Sequence, residues 1–90
     1  MTLHVVNKPP SNLAITSCLA VVLPGDVVLL IEHGVYCGSV SVPEGVSMYA
    51  MDLDVHARGL DDRIPPNVPL IDDARFVELA CEHNPIVTWA

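Results

Sequence analysis

Short aliphatic runs that alternate with segments of helical character constrain this chain more than any other feature of its sequence. The clearest run is VVLLI at residues 27–31, which follows the turn-forming Pro24-Gly25-Asp26. A strand that is buried on both faces has no polar side, and its sequence is therefore continuously apolar. This run predicts a central strand of a parallel sheet.

Four further runs are interpreted as strands because each is rich in aliphatic residues and bounded by turn-forming ones. They cover residues 3–6, 46–51, 68–71 and 86–89. Pro69 counts against a central place for the fourth of these strands, since proline has no N–H to donate to a ladder of backbone hydrogen bonds.

Three helices are predicted between the strands. They run over residues 12–22, over residues 52–58, and from Asp72 or Asp73 to His83. Ser11, Asp52 and one of the two later aspartates have the side chains that cap helix N-termini. Residues 34–39 predict only a short, poor helix, because glycine and β-branched residues disfavour helix formation.

Strands that alternate with helices predict α/β architecture, and each crossover between parallel strands is right-handed. We therefore expect a single domain over residues 1–90 that contains a five-stranded, mostly parallel sheet with helices on both faces. Sites in such sheets form beyond the carboxyl ends of the strands. The polar residues expected there are Asn7-Lys8, Glu32-His33, Asp52 and Asp72.

The composition suggests that this domain does not exist alone. Hydrophobic residues make up 51% of the chain and charged residues 17%, against roughly 25% charged in an average globular domain. A sheet covered on both faces and an interface between subunits both absorb such an excess.

A membrane span is not expected, because Pro24-Gly25-Asp26 interrupts the longest apolar stretch well short of roughly 20 residues. With no recognisable secretory signal, the chain is expected in the cytoplasm.

Charge and motifs exclude several classes of function. The formal net charge is −7, with only four lysines and arginines in the chain, so we expect no direct binding to nucleic acid. Neither early strand is followed by a glycine-rich phosphate loop, and no nucleotide cofactor is expected. The histidines and cysteines do not fall at metal-site spacing, and no metal is expected.

The three cysteines are odd in number and far apart, which favours free thiols over a disulfide framework. Cys37 follows the second strand, close to His33, where a helix start or a histidinium would lower a thiol pKa. Cys18 lies in the middle of the first predicted helix, and Cys81 lies in the last. From residue type alone, each is better explained as a small buried hydrophobic side chain.

Four segments of the sequence, taken together and in order, resemble the TusB/DsrH family. They are HVVNKPP at residues 4–10 with SCL at 17–19, PGDVVLLIEHGVY at 24–36, YAMDLDVHARGL at 49–60, and a closing segment from Ile71-Asp72-Asp73 to Trp89-Ala90. Each segment alone is weakly specific, but four in register cover nearly the whole chain.

This resemblance implies a DsrE-like fold and a place in a sulfurtransferase complex. Family members assemble with TusC/DsrF-like and TusD/DsrE-like subunits into a heterohexamer, which exchanges sulfur with a small TusE/DsrC-like carrier. The complex relays sulfur as cysteine persulfide. In TusB-type complexes the sulfur is transferred to the wobble uridine of tRNA, whereas DsrH-type complexes take part in sulfur oxidation.

The resemblance also ranks the thiols. Cys18 matches the position of a cysteine in DsrH-type proteins, which some TusB-type proteins lack, and becomes the first candidate persulfide acceptor, with Cys37 second. The chain is then an accessory or carrier subunit, and the principal catalytic cysteine lies on a partner. Two alternatives remain open: a purely structural subunit with inert thiols, and a stand-alone homo-oligomer that has lost the relay role.

Overall fold

A computed structural model describes residues 1–90 and contains five strands and three α-helices. The strands are β1 (Leu3–Val6), β2 (Val27–Leu30), β3 (Ser47–Met51), β4 (Leu70–Ile71) and β5 (Ile86–Trp89). The α-helices are α1 (Ala14–Leu19), α2 (Asp52–Ala57) and α3 (Asp73–Glu82). Two 3₁₀ segments, Glu32–Cys37 and Asp61–Arg63, complete the regular structure. None of these helices has the length and apolar character needed to cross a membrane.

All five strands form one sheet in the order β4-β3-β2-β1-β5, and every pairing is parallel. The predicted α/β sheet is therefore confirmed. The chain steps outward from β1 through β2 and β3 to β4, and then returns across the sheet to place β5 beside β1. In this register Val6 pairs with both Leu30 and Trp89.

The two faces of the sheet carry separate apolar cores, and helices cover both faces as predicted. One core contains side chains of α1, α2 and the 3₁₀ segment Glu32–Cys37 together with Val6, Val28 and Leu30. The other core contains Leu3, Val5 and Leu29 beneath α3. Alternation along each strand produces this division, since neighbouring side chains point to opposite faces.

The sequence located the strands more accurately than the helices. β1 and β5 have the predicted bounds, whereas β4 contains only Leu70–Ile71. α1 is shorter than predicted at both ends. Residues 34–39 do not form an α-helix, and the chain there follows the 3₁₀ segment Glu32–Cys37.

The helix caps differ from prediction in two cases. Ser11 does not cap α1: the N-cap position is Leu13, which has no side-chain cap, and Asn12 just before it accepts a hydrogen bond from the Ala14 N–H through Oδ1 at 2.8 Å. Asp52 makes no capping hydrogen bond in α2. Asp72 caps α3 as predicted, accepting from the Arg75 N–H at 2.9 Å.

Candidate functional site

Cys18, the first candidate from the sequence, lies in the core between α1 and the sheet. Its side chain is completely buried, in the cluster that also contains Ile15 and Val28. Burial raises the pKa of the Cys18 thiol to about 11, and the nearby carboxylate of Asp26 adds to the effect. The thiolate is the nucleophilic form of cysteine, so this environment keeps Cys18 in its unreactive form.

A polar network that includes the carboxylate of Asp26 lies near Cys18. It consists of His4 on β1, Asp26 before β2 and Trp89 on β5, and it is called the His4 network below. His4 Nε2 lies 3.0 Å from Asp26 Oδ2, and the Trp89 Nε1–H donates to His4 Nδ1 at 3.1 Å. His4 and Asp26 are 4% and 6% exposed, so water does not compete for the bond between them; Trp89 is half-buried.

The protonation state of the His4 network follows from its donors. An indole N–H can only donate, so the bond from Trp89 requires an unprotonated His4 Nδ1. The remaining ring proton therefore lies on Nε2 and is donated to Asp26. Both nitrogens of His4 are thus engaged, and neither is free to act as a general base toward Cys18.

Asp26 is held as a carboxylate despite its burial. Burial alone raises the pKa of this group, but hydrogen bonds outweigh it: the Thr2 N–H donates to Oδ1 at 2.9 Å, and the Leu23 N–H donates to Oδ2 at 3.0 Å. Together with His4 they lower the pKa of Asp26 to about 2. The turn before β2 is therefore built around one buried negative charge.

Cys37, the second candidate, lies at the opposite end of the sheet. Its Sγ contacts the Lys8 carbonyl oxygen at 3.5 Å, beyond the carboxyl end of β1. The side chain is completely buried, and burial raises its pKa above the ordinary value. Because Cys37 ends a 3₁₀ segment instead of starting a helix, the helix-start activation considered from the sequence does not operate.

The structure does not bring the three cysteines together. Cys18 is near Asp26 at the amino end of β2, whereas Cys37 lies beyond the carboxyl end of the sheet. Cys81 is exposed on α3, which covers the other face. Cys18 and Cys37 belong to the same apolar core, and all three cysteines are free thiols.

Polar residues do gather beyond the carboxyl end of β2, as expected for this fold. Glu32 adopts a φ of 50°, in the left-handed region, and its N–H donates to Asp54 Oδ2 at 2.9 Å. Arg58 pairs with Asp54 at 3.7 Å and lies 3.5 Å from His33 Nδ1. The hydrogen-bonding and charged groups of these residues are thus paired with one another. No metal-binding group of three His, Cys, Asp or Glu side chains forms in the structure.

The structure contains two open cavities. One, of about 330 Å³, lies between the start of β3 and residues 67–69. The other, of about 210 Å³, lies between Tyr36 and Arg63. None of the three cysteines lines either cavity.

Reasoning from the sequence missed the His4 network. His4 and Asp26 are separated by 22 positions and His4 and Trp89 by 85, so no local spacing rule connects them. The only signal was indirect, since all three residues belong to the segments that carry the family resemblance. Trp89 is partly buried and packs against the core that contains Cys18.

Comparison with protein families gives one match, which covers most of the chain. The family described as DsrH like protein matches residues 8–86. Several curated relatives are named Protein TusB. The one from Photorhabdus laumondii is 31% identical over 97% of this chain and 99% of its own length. The one from Buchnera aphidicola is 39% identical over 74% of this chain and 70% of its own length.

A solved structure has the same fold. The solution NMR structure of protein Tm0979 from Thermotoga maritima superposes with a TM-score of 0.75 and covers 91% of this chain and 93% of its own. The two sequences are 24% identical, so this match bears on the fold alone.

Proposed function

Since this chain belongs to the DsrH-like protein family, we propose that it is a subunit of a cytoplasmic sulfur-relay complex. The observation that carries the proposal is the family match over residues 8–86, together with full-length similarity to proteins named TusB. The proposed partners are TusC/DsrF-like and TusD/DsrE-like subunits in a heterohexamer, and a TusE/DsrC-like protein is the proposed sulfur carrier.

The surface of the chain supports an assembled state. Large apolar side chains are exposed around α1 and the turn after it: Leu13 is 76% exposed, Val21 54% and Leu23 66%. Apolar surface of this kind on a small domain is typical of subunit contacts.

We assign the complex to tRNA thiolation rather than to sulfur oxidation. The curated relatives from Photorhabdus, Buchnera and Pectobacterium are all named Protein TusB. The acidic chain, with a formal net charge of −7, is not suited to bind the tRNA itself. In this proposal, contact with tRNA falls to another component of the pathway.

Within the complex, Cys18 is the first proposed persulfide acceptor and Cys37 the second. A buried thiol with a raised pKa accepts sulfur only when it becomes exposed. Since α1 is six residues long and short helices depend on tertiary packing, a movement of α1 on contact with a partner is the proposed route to Cys18.

The burial of the same two thiols favours a second candidate role, that of an organising subunit. In this role Cys18 and Cys37 only fill the core, and the principal catalytic cysteine lies on a partner. The complete burial of both side chains and the absence of a free base near Cys18 support it.

One experiment separates these two roles. The chain is purified in complex with its co-expressed partners, loaded with a sulfur donor, alkylated, and digested for mass spectrometry. The carrier role predicts a persulfide mass gain on the peptide that contains Cys18, lost in Cys18→Ser and retained in the control Cys81→Ser. A complex in which partner peptides gain sulfur and none of this chain's peptides does would eliminate the carrier role and leave the organising one.

A further inference from the structure

The His4 network connects three parts of the chain that are distant in sequence. It joins β1 to the turn before β2 through Asp26, and to the edge strand β5 through Trp89. β5 pairs only with β1. The hydrogen bond from Trp89 to His4 is therefore the polar side-chain contact that holds the end of this edge strand.

That contact depends on one proton. The indole N–H donates to His4 Nδ1 at 3.1 Å, and this bond exists only while Nδ1 carries no hydrogen. A second ring proton on His4 would place an N–H donor against an N–H donor. The bond to Asp26 at 3.0 Å would remain and become an ion pair.

The surroundings of His4 determine what happens on protonation. Asp26, before β2, is the one charged group that contacts the ring. Cys18, on α1, stays neutral because its pKa is about 11. β5 has no titratable side chain, and His83, just before it, is engaged with the Leu79 carbonyl oxygen at 2.8 Å. Asp26 can therefore accept a hydrogen bond from the ring in either protonation state, whereas Trp89 can donate only to the neutral ring.

We propose that the His4 network is a proton-sensitive contact: uptake of a second ring proton by His4 keeps the bond to Asp26 and releases the indole of Trp89 together with the end of β5. The release exposes the backbone edge of β1 at Val6, which pairs with Trp89 in the closed state. Acidification thus changes which strand forms this edge of the sheet.

The test uses the single tryptophan of the chain, which gives one indole N–H signal in NMR. Hydrogen exchange of that N–H is compared at matched pH values between about 8 and about 5, the range in which histidine changes charge, for the wild type and His4→Gln. Glutamine can hold both bonds without taking up a proton. We expect wild-type exchange to become about fivefold faster than in His4→Gln at the acidic end, which corresponds to ~1 kcal/mol for one lost hydrogen bond.

The control is His83→Gln, which removes a histidine beside β5 and should keep the wild-type pH response. A second measurement follows the ring nitrogens of His4 directly in the wild type, and does not depend on the folding of His4→Gln. A doubly protonated His4 with a slowly exchanging Trp89 N–H would overturn the proposal. So would a change at Trp89 that coincides with loss of the whole fold in circular dichroism.

Discussion

Gly34 fixes the position of the segment that carries Cys37. A Cβ at this residue would overlap the carbonyl oxygen and carbon of Val6, far inside van der Waals contact. Val6 is completely buried in the central β1 strand, so the backbone it belongs to has no room to move aside. The absence of a side chain at Gly34 lets the 3₁₀ segment cross directly over the end of β1.

We therefore expect Gly34→Ala to lower the free energy of unfolding by about 3 kcal/mol, the upper range for overpacking a core. The control is Gly59→Ala, at a φ of 65° with no atom within 4 Å of an added Cβ. Gly59→Ala should lower the free energy of unfolding by about 1 kcal/mol, because a residue with a side chain disfavours the left-handed backbone conformation. Urea denaturation of both variants measures the difference, and equal losses would mean that the close approach to Val6 is not rigid.

Asp26 makes stability depend on pH in the acid range. The pKa of its carboxyl falls from 3.8 to about 2 on folding. A group with a lowered folded-state pKa stabilises the protein above its unfolded-state value, and that contribution disappears as the pH falls through the folded-state value. Between about pH 4 and about pH 2 the wild type should lose about 2 kcal/mol from this group.

Asp26→Asn should be less stable than the wild type at neutral pH and should lose less stability across the same acid window. Urea denaturation at several pH values gives both curves. Parallel curves for the two proteins would show that Asp26 is not the source of the dependence.

The three thiols should differ in reactivity. Cys81 is exposed, whereas Cys18 and Cys37 are completely buried. In the isolated native chain we expect one thiol to react at once with a colorimetric thiol reagent, and the other two at least about 100-fold more slowly, since they must wait for local opening. Cys81→Ser should abolish the fast phase. A fast phase that survives this substitution would show that α1 or the 3₁₀ segment opens readily.

The candidate site was only partly predictable at this scale. Sequence reasoning identified Cys18 and Cys37 by residue type and resemblance, but their burial depends on packing between distant elements. The pairing of His4 with Asp26 and Trp89 depends on the register of three strands, which no local pattern reveals. The free thiols, by contrast, follow from cysteine number and spacing.

At the scale of elements, α1 illustrates what a local pattern can and cannot decide. A helix was predicted, but its first turn is stabilised by Asn12 and not by Ser11. Both residues are good caps, and the choice between them depends on how the chain leaves the Pro9-Pro10 loop.

Two substitutions in α1 test that assignment. We expect Asn12→Ala to lower the free energy of unfolding by about 1 kcal/mol, the usual value of a lost cap. Ser11→Ala makes the matched control and should change it by less than about 0.5 kcal/mol. Thermal or urea unfolding measures both variants. A larger loss of stability in Ser11→Ala than in Asn12→Ala would show that Ser11, and not Asn12, stabilises the first turn.

The remaining elements also differ in how closely the local sequence predicts their bounds. β1 and β5 were predicted to the residue because their aliphatic runs are bounded by clear turn residues. β4 is shorter than its run, since Pro69 cannot donate to the ladder and Val68 packs into the core before the strand begins. The connection from β2 to β3 contains the 3₁₀ segment Glu32–Cys37. The poor helical propensity of residues 34–39 is compatible with this segment but did not predict it.

For the whole molecule, the alternation of strands and helices predicted a parallel sheet covered on both faces. It did not predict the strand order. The return of the chain from β4 to place β5 beside β1 depends on contacts between the two ends of the sequence. The separation of the sheet into two cores, with α3 alone on one face, follows from that return.

The proposed role of this chain requires assembly with non-identical subunits, and the most direct test is native mass spectrometry of the chain co-expressed with its TusC/DsrF-like and TusD/DsrE-like counterparts. The matched sample is the chain expressed alone. We expect the co-expressed chain in one hetero-oligomer that contains both counterparts, with two copies of each subunit. A chain that stays monomeric, or pairs only with itself, when both counterparts are present and folded would contradict the proposed role.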